Sequence, residues 1–87
     1  MILAVEISLY PLKDGYIPDI QSFIDRLNEY SDLYVVTNNM STQICGDYDL
    51  VMSVLNEQMK KTFQQELKAI FACKFLNSDI RPESQRS

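Results

Sequence analysis

The chain has no histidine and no tryptophan, and its 87 residues include only two cysteines, two glycines and three prolines. Each shortage closes off a class of function. Without histidine, a serine or cysteine nucleophile would need a lysine or carboxylate as its base, and no G-x-S-x-G, S-x-x-K or cysteine signature occurs. With no C-x-x-C and no carboxylates at ligand spacing, neither a zinc site nor another transition-metal site can be argued. Gly15 and Gly46 stand alone, outside any glycine-rich loop that could cradle a phosphate. The expectation is a protein that is not an enzyme and that needs no cofactor and no metal.

Positive charge is also scarce. Eight lysines and arginines against twelve acidic residues leave a formal net charge of −4 and a pI near 4.5. That balance opposes a grip on nucleic acid, which needs clustered basic residues, and it tolerates a neutral or cationic small ligand. Cys45 and Cys73 lie in alternating apolar segments of a chain without an export signal, so they are expected to be buried thiols and not a disulfide. The apolar start carries Glu6 and is too short to span a bilayer, which makes a cytoplasmic protein away from the membrane the expectation.

What the chain does have is ordinary globular composition, 46% hydrophobic and 23% charged, and clear periodicity. From Ile2 to Tyr10 the residues alternate, with Leu3, Val5, Ile7 and Leu9 on one side and Ala4, Glu6, Ser8 and Tyr10 on the other, the pattern of a half-buried strand. Pro11 and Lys13-Asp14-Gly15 end it. Ile17, Ile20, Phe23, Ile24 and Leu27 then recur at helical spacing, predicting a helix over 18–30 with Pro18 in its first turn.

A β-branched and aromatic run predicts a second strand over 33–37, and Asn38-Asn39 turns it into a third over 40–45, ended by Gly46. Asp47 suits an N-cap for a second helix, whose stripe runs through Leu50, Val51, Val54, Leu55, Gln58, Met59, Phe63 and Leu67. A fourth strand follows over 69–77, with Phe71, Cys73 and Phe75 on the face opposite Lys74. Residues 1–78 then form one domain, and the polar tail 79–87 is expected to fray.

The order β-α-β-β-α-β predicts an α+β, ferredoxin-like fold: a four-stranded antiparallel sheet with two helices on one face. Right-handed crossovers put the third strand between the first and second, and the fourth outside the first. The helix-free face then carries Ala4, Glu6, Ser8 and Tyr10 beside Ser41, Gln43 and Cys45. In the expected pairing Ser8 and Tyr10 lie near Ser41 and Gln43, Glu6 lies toward Cys45, and Asn38 joins from the adjoining strand. A carboxylate, hydroxyls, a carboxamide and an aromatic ring suit a planar, nitrogen-rich ligand. The same residues serve equally as solvated polar groups or as the polar part of a subunit interface.

Two segments carry a likeness: Ala4-Val5-Glu6-Ile7-Ser8-Leu9-Tyr10-Pro11-Leu12 and Met40-Ser41-Thr42-Gln43-Ile44-Cys45-Gly46-Asp47-Tyr48-Asp49. Together they resemble the YkoF-like thiamine/hydroxymethylpyrimidine-binding family of ferredoxin-like domains, over residues 2–77. The resemblance implies non-catalytic binding of thiamine or its hydroxymethylpyrimidine moiety in vitamin uptake or salvage, by a homo-oligomer, dimer or tetramer. It places Ser8, Tyr10, Ser41, Thr42 and Gln43 near the ligand, joined from the spacing argument by Glu6 and Asn38. The alternative is a homo-oligomeric structural or regulatory interaction domain with no small-molecule ligand.

Overall fold

The computed structural model describes residues 1–13, 17–65 and 68–82. Its elements run β1 (Ile2–Pro11), α1 (Ile17–Asn28), β2 (Tyr34–Thr37), β3 (Thr42–Asp47), α2 (Tyr48–Gln64) and β4 (Ala69–Leu76). The strands form one antiparallel sheet in the order β2-β3-β1-β4. This is the ferredoxin-like α+β arrangement that the periodicity predicts. Among the described residues no helix is long and apolar enough to cross a membrane.

The core lies between the sheet and the helix layer. Leu3, Val5 and Ile7 of β1 and Ile44 of β3 project from one face of the sheet into Phe23 and Leu27 of α1 and Val51, Val54 and Leu55 of α2. Period two on the strands and period 3.6 on the helices bring these positions to one layer. Phe71 of β4 packs on Phe23 with ring centroids 5.1 Å apart, and the half-exposed Phe63 of α2 meets Phe71 edge-on at 5.4 Å. Leu67, expected to extend the α2 stripe, and Asp14-Gly15, expected in the first turn, lie outside the described residues.

The two helices are clipped together by a polar chain. Arg26 is buried, and its guanidinium donates to Gln58 Oε1 at 2.7 Å, Thr62 Oγ1 at 2.7 Å and Ser22 Oγ at 2.8 Å. Gln58 in turn donates to the Tyr30 hydroxyl at 2.8 Å. A buried cation is costly unless its hydrogen bonds are made, and here hydroxyl and carboxamide oxygens supply the acceptors.

Both ends of the third strand differ from the periodicity. The third strand begins at Thr42 rather than Met40, because Asn38 Oδ1 accepts from the backbone N–H of both Met40 (2.7 Å) and Ser41 (2.9 Å) and bends the chain away. Gly46 does not end it. It pairs with Leu3, buried close to the Asp32 carbonyl oxygen, which a Cβ there would approach to 3.4 Å. The ladder closes only at Asp47, which also caps α2 by accepting from Asp49 N–H at 3.2 Å.

The tail expected to fray from residue 79 starts as a placed segment, with Asp79, Ile80 and Arg81 half-buried. The reason is a partner on the sheet: Cys45 Sγ donates to Asp79 Oδ1 at 3.6 Å. Residues 83–87 lie outside the described residues. Both cysteines are free, but only Cys45 is fully buried; Cys73 is half-buried, and desolvation raises its thiol pKa.

Ile44→Ala is expected to cost about 2–5 kcal/mol through lost burial and the cavity left behind. Arg26→Ala should cost about 1–3 kcal/mol by orphaning Gln58 and Thr62. Urea unfolding of each variant against the parent chain measures both.

Candidate functional site

The two neighbours of β1 are paired to it over different lengths. With β3 the ladder runs from Ile2↔Asp47 to Ile7↔Thr42 and stops, whereas with β4 it continues to Pro11↔Ala69. The end of β1 therefore outruns β3 by four residues, 8–11. The β2–β3 hairpin, turned aside by Asn38, and the apolar side of α1 surround the gap. The result is a cavity of about 160 Å³.

Its lining mixes two kinds of residue. Ile7 and Leu9 of β1 and Ile20, Phe23 and Ile24 of α1 supply an apolar wall, and the polar residues Ser8, Tyr10, Thr37, Asn38, Ser41 and Thr42 also border it, the Ser41 hydroxyl being turned to Glu6. No residue lining it carries a formal charge. Such a space suits the uncharged, planar part of a ligand, whose edge meets hydroxyls and whose faces meet aliphatic groups.

Five of the seven residues expected at a site border this cavity: Ser8, Tyr10, Asn38, Ser41 and Thr42. Thr42, which alternation directs toward the helices, is buried there and shares a 3.2 Å hydrogen bond with Thr37 Oγ1. Asn38 has its side-chain oxygen committed to the Met40 and Ser41 amides. Tyr10 is about half exposed at 54%.

The remaining two, Glu6 and Gln43, are elsewhere. They border a second cavity of about 230 Å³ on the helix-free face, with Ala4, Lys74, Leu76 and Ile80. The expected placement of Glu6 toward Cys45 is off by two residues, since Glu6 stands opposite Gln43 and Ala4 stands opposite Cys45. By alternation Glu6, Ser8, Tyr10, Ser41 and Gln43 share the helix-free face, whereas Thr42 turns toward the helices. Ser41 joins the two regions, because it borders the first cavity while its hydroxyl donates to Glu6 Oε2 at 3.2 Å. Glu6 also faces Lys74 Nζ at 3.8 Å, an exposed cross-strand pair of small energetic weight.

Ile20, Phe23, Ile24 and Thr37 were not expected at the site. The α1 stripe was visible as core, but its role as a cavity wall depends on where β3 ends, and nothing in the stripe itself marks that point. The Asn38-Asn39 turn, read together with Met40 as an acceptor-hungry amide two residues on, was the available signal.

Comparison with known proteins gives a consistent picture. The sequence profile of the YKOF-related family matches residues 2–77. Among curated proteins none matches. A solved structure of a Streptococcus pneumoniae protein superposes with a TM-score of 0.82 at 20% identity, covering 99% of this chain and 97% of that one. A hypothetical protein of Methanocaldococcus jannaschii gives 0.76 at 22% identity, with coverage of 97% and 91%. A Thermotoga maritima protein, described as a candidate in thiamine biosynthesis or salvage, gives 0.73 at 16% identity, with coverage of 99% and 96%. At these identities the superpositions bear on the fold.

Thr42→Val is expected to lower stability by about 0.5–1.5 kcal/mol, since it removes a part-buried hydrogen bond to Thr37 while keeping the volume. Chemical denaturation would register this as a lower midpoint with an unchanged slope.

Proposed function

The chain belongs to the YKOF-related family, and from that premise we propose that it binds thiamine, without turnover, by enclosing the hydroxymethylpyrimidine half in the cavity beside β1. The observation that carries this reading is the cavity itself: uncharged, part aliphatic and part hydroxyl, and formed where the two family-like motifs meet. Its volume supports the pyrimidine over the whole vitamin. A cavity of about 150 Å³ accepts one benzene-sized ring, so about 160 Å³ leaves the charged thiazolium and any phosphate at the mouth or in solvent. Placing the cation outside also avoids the cost of burying a charge among neutral groups. The Thermotoga maritima neighbour's description points to the same vitamin.

Binding, and not catalysis, is the role, exercised in the cytoplasm during uptake or salvage of the vitamin. Ser8, Tyr10, Ser41 and Thr42 form the polar edge of the site, with Tyr10 at its rim. Glu6 and Gln43 act on the other face, through Ser41 and through whatever packs there.

That other face supports a homo-oligomer. Tyr10, Ile70 and Leu76 are each more than half exposed, and Val36 adds to the same face. A row of exposed apolar side chains on one side of a small sheet is the usual mark of a surface that meets another chain. A dimer or tetramer formed there would cover Tyr10 at the rim and leave the α1 wall of the cavity free. The second reading, an interaction domain with no ligand, rests on this same apolar row.

Calorimetry on the parent chain should show hydroxymethylpyrimidine and thiamine binding with similar affinity, because only the ring is enclosed. Silence with both at about 100 μM protein would place Kd above roughly 1 mM and end the vitamin reading. Ile24→Trp, which fills the cavity from its apolar wall, should abolish the heat while circular dichroism stays that of the parent. Tyr10→Ala should weaken affinity at least about tenfold, the loss of one aromatic contact; dissociation of an oligomer with affinity intact would favour the interaction-domain reading instead.

A further inference from the structure

The cavity exposes main chain as well as side chains, and the register shows which peptide group. Leu12 N–H donates to Lys68 O at 2.7 Å on the β4 side of β1, and Met1 O accepts from Tyr48 N–H at 2.9 Å on the β3 side. Along an antiparallel strand the peptide groups of alternate residues face opposite neighbours. Even-numbered residues of β1 thus turn their N–H and C=O toward β4, and odd-numbered residues turn theirs toward β3. Ile7, opposite Thr42, is the last odd residue that β3 reaches. The next is Leu9.

Continuing the register places Met40 opposite Leu9, and in an unbroken ladder Met40 N–H would donate to Leu9 C=O. Asn38 prevents it by taking Met40 N–H on its own Oδ1 at 2.7 Å. The hairpin is held in that shape by Asn38 N–H donating to Ser41 O at 3.0 Å and by the Ser41 amide on the same Oδ1. Leu9 therefore presents an N–H donor and a C=O acceptor, side by side, to a cavity that it lines. A polar main-chain pair facing a partly apolar space carries a standing demand for partners.

We propose that the Leu9 peptide group is the element that recognises the ligand's edge, and that the chemistry it selects is an acceptor next to a donor on one planar ring. An aminopyrimidine has that edge: the ring nitrogen accepts from Leu9 N–H while the neighbouring exocyclic amine donates to Leu9 C=O, completing the ladder that β3 leaves unfinished. Ile20, Phe23 and Ile24 then flank the ring. Asn38 is a positioning residue, acting by keeping Met40 away from Leu9. This inference rests on the pyrimidine reading of the site and adds to it which atoms read the base.

The test is an amide-resolved NMR titration of the 15N-labelled full chain with 4-amino-5-hydroxymethyl-2-methylpyrimidine and with the analogue in which hydrogen replaces the 4-amino group. The expected result is saturable binding in which the Leu9 amide proton moves downfield, and an affinity for the analogue weaker by roughly tenfold to a hundredfold, since Leu9 C=O is left unpaired. Asn38→Asp, which keeps the side-chain acceptor, should retain the parent affinity, whereas Asn38→Ala should lose it as Met40 N–H closes on Leu9. Saturable shifts at other cavity residues with Leu9 unmoved, equal affinity for both pyrimidines, or equal loss in both Asn38 variants would overturn the peptide-recognition proposal while leaving the site intact. Absence of any saturable shift would overturn the pyrimidine reading along with it.

Discussion

The structure depends on the unequal pairing of β1. One central strand hydrogen-bonds to β3 as far as Ile7 and to β4 as far as Pro11, and the difference is a step four residues deep in the sheet. Main-chain hydrogen-bonding groups are obligatory, so a strand end left unpaired on one side must find water, a side chain or a ligand. The step also decides where the helix layer meets open space, because the first half of α1 lies over the gap and not over β3. The strand and hairpin residues of the candidate site are placed by that step or by the hairpin that causes it.

The hairpin owes its shape to one side chain. Asn38 accepts two backbone amides, a local arrangement that asparagine makes more readily than longer residues because its carboxamide is one carbon from the backbone. By diverting Met40 it shortens β3 and opens the cavity, and it does so at an exposed turn where the core is not disturbed. Further from the site, the Arg26 chain to Gln58, Thr62 and Ser22 fixes how α1 lies against α2. Because α1 is the cavity's apolar wall, this clip sets the wall's position as much as it stabilises the helix layer. Such a polar clip specifies one arrangement, where apolar packing alone would tolerate several.

The helix-free face is not uniform. At one end Ala4 and Cys45 are buried although no helix covers them, and the segment around Asp79 and Ile80 lies against that end. At the other end Tyr10 and Ile70 stand exposed. The chain thus covers part of its own sheet and leaves the rest apolar and open. Ser41, which borders the cavity beside α1, donates its hydroxyl to Glu6, which borders the region under the tail.

Much of this molecule is legible in its sequence. Alternation in β1 and the 3.6 period of α1 and α2 determined which side chains would be buried, and the order of elements determined the sheet's topology, because hydrophobic burial and right-handed crossover leave little else for such a pattern. The capping role of Asp47 is local chemistry and was equally legible. Register was not, because alternation distinguishes faces and is blind to a slip of two residues, so Glu6 was set toward Cys45 where it meets Gln43. The location of the cavity was hidden for the same reason: it depends on where one ladder stops against another, and on a side-chain oxygen competing with a strand for one amide. The docking of Asp79 against Cys45 joins residues 34 apart, a contact that exists only once β3 and the end of β4 have been brought together. Composition and periodicity determined the layers; the sites arise where strands of unequal length meet, and only tertiary structure decides that.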